Sequence, residues 1–143
     1  MNEMRRRVGF LILLAALAGS AQAQTASVWD GVYTDAQAAQ GDAGFGAHCA
    51  NCHGASLGGT GEAPALAGPQ FLSDFDGLTL GDLFDRIRTT MPQDNPASLT
   101  RDQYADILAF ILKANALPSG AKELDRRSEY LKAIGFSATK PGK

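Results

Sequence analysis

Cysteine is scarce in this chain. Its 143 residues hold two, Cys49 and Cys52, three positions apart. A disulfide scaffold is therefore excluded, and a single bridge across so tight a loop would constrain the unfolded chain little. Histidine is as scarce: His53 follows Cys52 directly, and the other is His48. Zinc at the cysteines would need two further ligands from this small supply. No run before Cys49 reads as a strand, so the strand–helix–strand setting of a thioredoxin-like cysteine pair is missing. Beyond residue 23 no apolar run approaches the roughly 20 residues that a membrane-crossing helix takes. Basic charge is not in excess: 13 Lys and Arg stand against 15 Asp and Glu, a formal net charge of −2. That argues against nucleic acid or an anionic membrane as partner. No internal repeat is visible, and the length fits one domain with a modest core.

What is present is Cys49-Ala50-Asn51-Cys52-His53, which reads as a c-type haem attachment site. Thiols at i and i+3 share one face of a helical turn, so both can reach the vinyl groups of one haem. The next residue carries an imidazole to the iron. His53 is expected to bind it as a neutral ring, its other nitrogen donating to a backbone carbonyl. One covalent haem c on Cys49 and Cys52 is thus the expected cofactor.

The N-terminus has the form of an export signal. Arg5-Arg6-Arg7 is a basic start, residues 8–18 are apolar, and Ala21-Gln22-Ala23 is a small-residue cleavage site. The apolar run is too short for an uncleaved anchor. The expectation is a signal peptide over 1–23, periplasmic localisation and a mature chain over 24–143. Adjacent arginines hint at twin-arginine export, but haem attachment after export favours the Sec route. The signal holds three arginines and Glu3, so its loss leaves a net charge of −4. That favours a partner with a local basic patch without saying where it docks.

The mature chain reads as helical. Residues 24–33 form a leader with Trp29 and Tyr33, whose expected role is packing. Thr34 caps a helix running from about 35 through the motif, interrupted by Gly41, Gly44 and Gly46. Those glycines imply close packing against another backbone or a flexible start. Residues 54–68 read as loop. Thr79 and Asp82 open a second helix with Leu80, Leu83, Phe84 and Ile87 on its apolar face, ended by Met91-Pro92. Thr100 and Gln103 form a capping box for a third helix, where Tyr104, Ile107, Leu108, Ile111 and Leu112 recur at three- and four-residue steps. Residues 123–134 are weakly amphipathic, and 137–143 read as disordered. The domain core is expected over about 34–117, with a C-terminal extension over 118–143.

Met1 and Met4 fall in the signal, which leaves Met91 as the methionine of the mature chain. It lies between two helices rather than on an apolar face, and Pro92 stiffens the chain after it. It is the expected second axial ligand, with core filling as the alternative. His/Met ligation raises the reduction potential relative to two nitrogen ligands. It also leaves no open iron position, which favours electron transfer over catalysis. His48 stands too close to the attachment turn to reach the far haem face and reads as a surface residue. Arg86 and Arg88 are candidates for the haem propionates, with a solvated helix face the equal alternative.

Together His48-Cys49-Ala50-Asn51-Cys52-His53-Gly54, Pro64-Ala65-Leu66-Ala67-Gly68 and Met91-Pro92, in this order, resemble class I cytochrome c across nearly the whole mature chain. The resemblance implies an all-α fold whose N- and C-terminal helices cross around one covalent haem. It places Gly41, Phe45 and Phe110 at the crossing, gives the His53 proton to the Pro64 carbonyl, and puts Leu66 in the haem pocket. A cytochrome c′ would carry its motif near the C-terminus. A narrower resemblance, in Trp29-Asp30-Gly31-Val32-Tyr33-Thr34 and Arg88-Thr89-Thr90-Met91-Pro92 among other short strings, is to the cytochromes that serve pyrroloquinoline-quinone (PQQ)-dependent dehydrogenases. It implies such a dehydrogenase as electron donor and a terminal oxidase or another cytochrome as acceptor, with electrons crossing at the haem edge near the thioethers.

The expectation is an electron carrier of the respiratory chain rather than an enzyme. A fixed subunit of another periplasmic redox complex, a haem-based ligand sensor, and a peroxidase are the rivals. A peroxidase would need a distal acid–base group, and His48 is on the wrong side.

Overall fold

The computed structural model describes residues 25–61 and 63–142. The export signal, its cleavage site and the two N-terminal methionines lie outside the described residues. The elements are β1 (Ala26–Ser27), α1 (Asp35–His48), α2 (Ala50–His53), α3 (Pro69–Phe75), α4 (Leu80–Thr90), α5 (Arg101–Ala114), α6 (Ser128–Leu131) and β2 (Ile134–Gly135). The fold is all-α in character. No described helix is long and apolar enough to cross a membrane.

The helix starts follow their caps. Thr34 Oγ accepts from Gln37 N, and both Thr79/Asp82 and Thr100/Gln103 form complete capping boxes. α4 ends at Met91, whose extended backbone (φ −123°, ψ 153°) is what a following proline imposes.

α1 and α5 cross at the centre of the molecule. α1 has few bulky residues, so its contact depends on close approach rather than on an apolar stripe. A Cβ at Gly41 would overlap the Asp106 carbonyl of α5, and one at Gly44 would lie 3.2 Å from Ile107. Beside these glycines Phe45 and Phe110 pack with ring centroids 5.3 Å apart, tilted by 47°. Such a pair adds about 0.5–1.5 kcal/mol beyond its buried area. Close packing is therefore the purpose of Gly41 and Gly44, whereas Gly46 faces open space.

Four expectations need correction, and one helix had no counterpart among them. The first helix does not run unbroken through the motif: Cys49 (φ −126°, ψ −35°) ends α1 and starts α2, which redirects the chain at the attachment site. α3 was not legible, because seven residues give no sustained period; Pro69 at its first turn is its local signal. Two strands exist, paired in parallel as Ala26↔Ile134 and Ser27↔Gly135. Two-residue strands carry no alternation to read. The amphipathic stretch is helical only over α6. Finally, the first residues of the tail are tied down: Trp29 Nε1 donates to Ser137 O (3.0 Å), and Ala138 N donates to Asp76 Oδ1 (2.8 Å).

The C-terminal extension thus completes the core. Leu124, Leu131 and Phe136 are buried, and Phe136 packs on Phe71 and Phe75. Buried Gln37 of α1 holds it by accepting from Leu124 N (2.7 Å) and donating to Leu124 O (3.1 Å). Tyr33 is buried as expected, its hydroxyl donating to Leu117 O at 2.6 Å.

The glycine assignments predict opposite outcomes. Gly41→Ala should cost about 1–3 kcal/mol, the usual penalty of overpacking. Gly46→Ala should gain up to about 1 kcal/mol from helix propensity alone. Urea unfolding of the two variants checks this, and equal effects would contradict the close-approach account.

Candidate haem site

α2 and the loop behind it carry the site. Cys49 is half-buried and Cys52 exposed, and neither is paired with the other. Burial, and then the neighbouring Cys52, push the Cys49 thiol up to about 11. A thiol so high is protonated at neutral pH, which disfavours a reactive redox thiolate.

His53 is buried (7% exposed), with Nδ1 2.8 Å from the Pro64 carbonyl. A carbonyl can only accept, so Nδ1 carries the proton and Nε2 keeps its lone pair for a metal. The loop is folded to deliver that carbonyl. Gly59 N donates to His53 O (2.8 Å), Thr60 Oγ1 to Cys52 O (2.9 Å), and Leu66 N to Leu57 O (2.8 Å). Leu57 adopts a left-handed backbone (φ 59°) while its side chain is buried. That conformation is strained for a bulky residue, costing of order 1–3 kcal/mol that burial must offset.

Sequence reasoning missed Asn115, the cap of α5. It is buried, accepts from Gly68 N (3.0 Å), and donates to Leu66 O (2.9 Å) and Ile111 O (2.8 Å). It fastens the far end of the loop to α5. A polar residue just past an apolar helix was the available signal.

Met91 is half-buried at the end of α4. Its N–H donates to Ile87 O (2.9 Å), and its carbonyl accepts from the Tyr104 hydroxyl of α5 (2.7 Å). The backbone of this residue is therefore held from two helices. Pro92 follows it through a cis peptide.

The two arginines part company. Two positions apart on α4, they cannot share a face. Arg86 is exposed, its guanidinium 6.0 Å from the Phe75 ring centroid. Arg88 is half-buried, three residues before Met91, and its Nε is buried without a hydrogen-bond partner among the described residues. Asp85 Oδ1 lies 3.7 Å from Nη2 of the same guanidinium, but a buried donor without a hydrogen bond is costly, and an anionic acceptor would satisfy Nε. His48 is exposed, as expected of a surface residue.

The residues therefore fit a covalently held haem. Two unpaired thiols sit at the attachment spacing, one imidazole has its outer nitrogen already satisfied, and one buried arginine nitrogen awaits a carboxylate. The stretch of chain around Cys52 carries little charge: between Asp42 and Asp74 the sequence has one charged side chain, Glu62.

Cys49→Ala with Cys52→Ala should leave no haem bound after acid–organic extraction, whereas either single variant should retain part of it through one thioether. Absorbance of the extracted protein checks this.

Comparison with known proteins agrees with this geometry. Residues 36–111, just over half of the chain, match the family model described as "Cytochrome C oxidase, cbb3-type, subunit III". A chain of the sulfane dehydrogenase SoxCD from Paracoccus pantotrophus is structurally similar, with a TM-score of 0.52 and 26% identity over 76% of this chain. The match spans 61% of that chain's length. No curated protein matches. With its motif inside the matched segment, the chain belongs to the cbb3-type cytochrome c oxidase subunit III family and is a monohaem c-type cytochrome, an electron-transfer protein carrying covalent haem c.

Proposed function

We propose that this protein is a periplasmic one-electron carrier with His53 and Met91 as axial ligands, reduced by a PQQ-dependent dehydrogenase and oxidised by a terminal oxidase or another cytochrome. Residues 1–23 are its export signal and 24–143 the mature chain, with a core over about 34–117 and an extension over 118–143. The observation that carries the ligand assignment is the His53 Nδ1–Pro64 hydrogen bond at 2.8 Å, which leaves Nε2 as the free nitrogen.

Bound haem c supplies one-electron chemistry between ferric and ferrous iron. The chain's own residues do the rest. The Pro64 carbonyl fixes the His53 tautomer and orientation. Tyr104 and Ile87 hold the Met91 backbone, so that its thioether can be kept in place through repeated electron transfer. Arg88 offers a buried donor to a haem carboxylate. Leu66 lines the pocket from the loop that Asn115 anchors.

Exposed Cys52 and the stretch of chain around it, which carries little charge, are the surface at which we place partner contact. Recognition there rests on shape and apolar contact rather than on charge steering. The rate of haem oxidation by a partner without net charge should then change little, less than about threefold, between low and physiological ionic strength. Stopped-flow measurement across a salt series checks this, and a steep salt slope would contradict it.

A second reading, a fixed cytochrome subunit of a dehydrogenase complex, is favoured by the similarity to a chain of SoxCD. One experiment addresses both. Ferric protein is mixed with fractionated periplasmic extract of the source organism, with alcohols or aldehydes, and with or without PQQ and calcium. Reduction that requires both substrate and PQQ supports the proposed donor. Reduction by PQQ-independent fractions alone overturns it, and co-purification with a dehydrogenase through gel filtration supports the fixed-subunit reading.

A further inference from the structure

One stripe of α4 joins the C-terminal extension to Arg88. Gly81, Asp85 and Arg88 stand at i, i+4 and i+7, on one helix face. At the first position the extension comes into backbone contact. A Cβ on buried Gly81 would lie 2.7 Å from Lys132 N and 2.9 Å from Ser128 O. One turn on, Asp85 Oδ2 accepts from Ser128 Oγ at 2.6 Å and lies 3.7 Å from Lys132 Nζ. Its other oxygen, Oδ1, lies 3.7 Å from Arg88 Nη2. At the last position is the guanidinium whose Nε is buried and unpartnered.

Asp85 thus uses one oxygen for the extension and the other for Arg88. Its side chain is about one-third exposed, as is that of Arg88 (32% and 29%). The field between them is screened less than at an open surface. Lys132 is half-exposed, so water screens its contribution more strongly. A carboxylate held beside a cation aims that cation.

We propose that Asp85, held by Ser128 of the C-terminal extension, is a positioning residue that aims Arg88 at a haem propionate and so holds the reduction potential above the value a released Arg88 would give. This rests on the reading of Arg88 as a propionate partner. The extension is then part of the redox site, and the potential depends on its docking.

The sign follows from charge. Reduction adds an electron, and a cation aimed at a haem propionate favours the reduced state. Asp85→Asn removes the carboxylate that holds Arg88 while keeping an acceptor for Ser128, so the reduction equilibrium should move toward the ferric form by between about threefold and tenfold. Arg88→Gln should move it the same way. Loss of the Asp85 charge alone would act oppositely, toward the ferrous form. The decisive quantity is the coupling, because two residues that act through one another are non-additive.

Potentiometric titration of the purified holoprotein, its two single variants and the double variant reads this directly, with thermal melting of each as a check on folding. The proposal expects Asp85→Asn to shift the equilibrium in the native background and to have less than about a 1.5-fold effect on top of Arg88→Gln. Equal shifts in both backgrounds would mean that Asp85 acts by its own field and would overturn the proposal. Absence of any shift with an unchanged melting temperature would overturn it too. Should Asp85→Asn fold poorly, Ser128→Ala replaces it and should shift the potential only while Arg88 is present. Purification without covalent haem would instead overturn the cytochrome reading itself, an outcome distinct from additive shifts in a loaded protein.

Discussion

The hydrogen bond from His53 to the Pro64 carbonyl is the interaction on which the site depends. It joins the attachment helix to a loop that would otherwise have no fixed relation to it. Everything nearby serves to put that one carbonyl in place. Thr60 and Gly59 bond back to α2, Leu57 accepts a left-handed backbone, and Asn115 fastens Gly68 and Leu66 to α5. α5 in turn is set against α1 by the close approach at Gly41. The imidazole orientation is thus traceable, contact by contact, to a missing Cβ some distance away. The physical requirement is rigidity. A carrier that changes charge with every turnover loses least energy when its ligands do not move, and each of these contacts removes a degree of freedom.

The proposed second half of the site is built on different terms. Met91 belongs to no regular element, yet its N–H and carbonyl are both satisfied, from α4 and from α5. The proline after it ends α4 at this methionine. The C-terminal extension supports α4 from outside, through Gly81 and Asp85, and closes the aromatic cluster of Phe71, Phe75 and Phe136. It is a structural continuation of the domain, bonded to the leader at Ala26, Ser27 and Trp29.

Much of this was legible in the sequence, for identifiable reasons. The haem motif is a fixed spacing of three reactive side chains, and such chemistry survives without structural context. The capping boxes at Thr79 and Thr100 rest on local hydrogen bonds, so their residues alone declare them. The α1–α5 crossing was signalled by glycines whose cost in a helix needs a return. What the sequence could not convey depends on distant partners. Gln37 looks like any surface glutamine until Leu124 is brought to it, and Asn115 is a helix end until the loop arrives. The paired strands are two residues long, below any readable period. Arg86 and Arg88 were indistinguishable by type, and the turn of α4 separates them: one lies over Phe75, the other keeps a buried unpaired nitrogen.

The central claim is that both axial positions are filled by the protein, His53 on one side and Met91 on the other. The ferric protein's near-infrared spectrum tests it most directly, because a thioether bound to ferric haem iron gives a charge-transfer band that nitrogen or water ligands do not. The account predicts that band in the native protein, with a low-spin spectrum throughout. A high-spin ferric spectrum without it would mean an open iron position, and would contradict a closed electron carrier in favour of a ligand-binding haem.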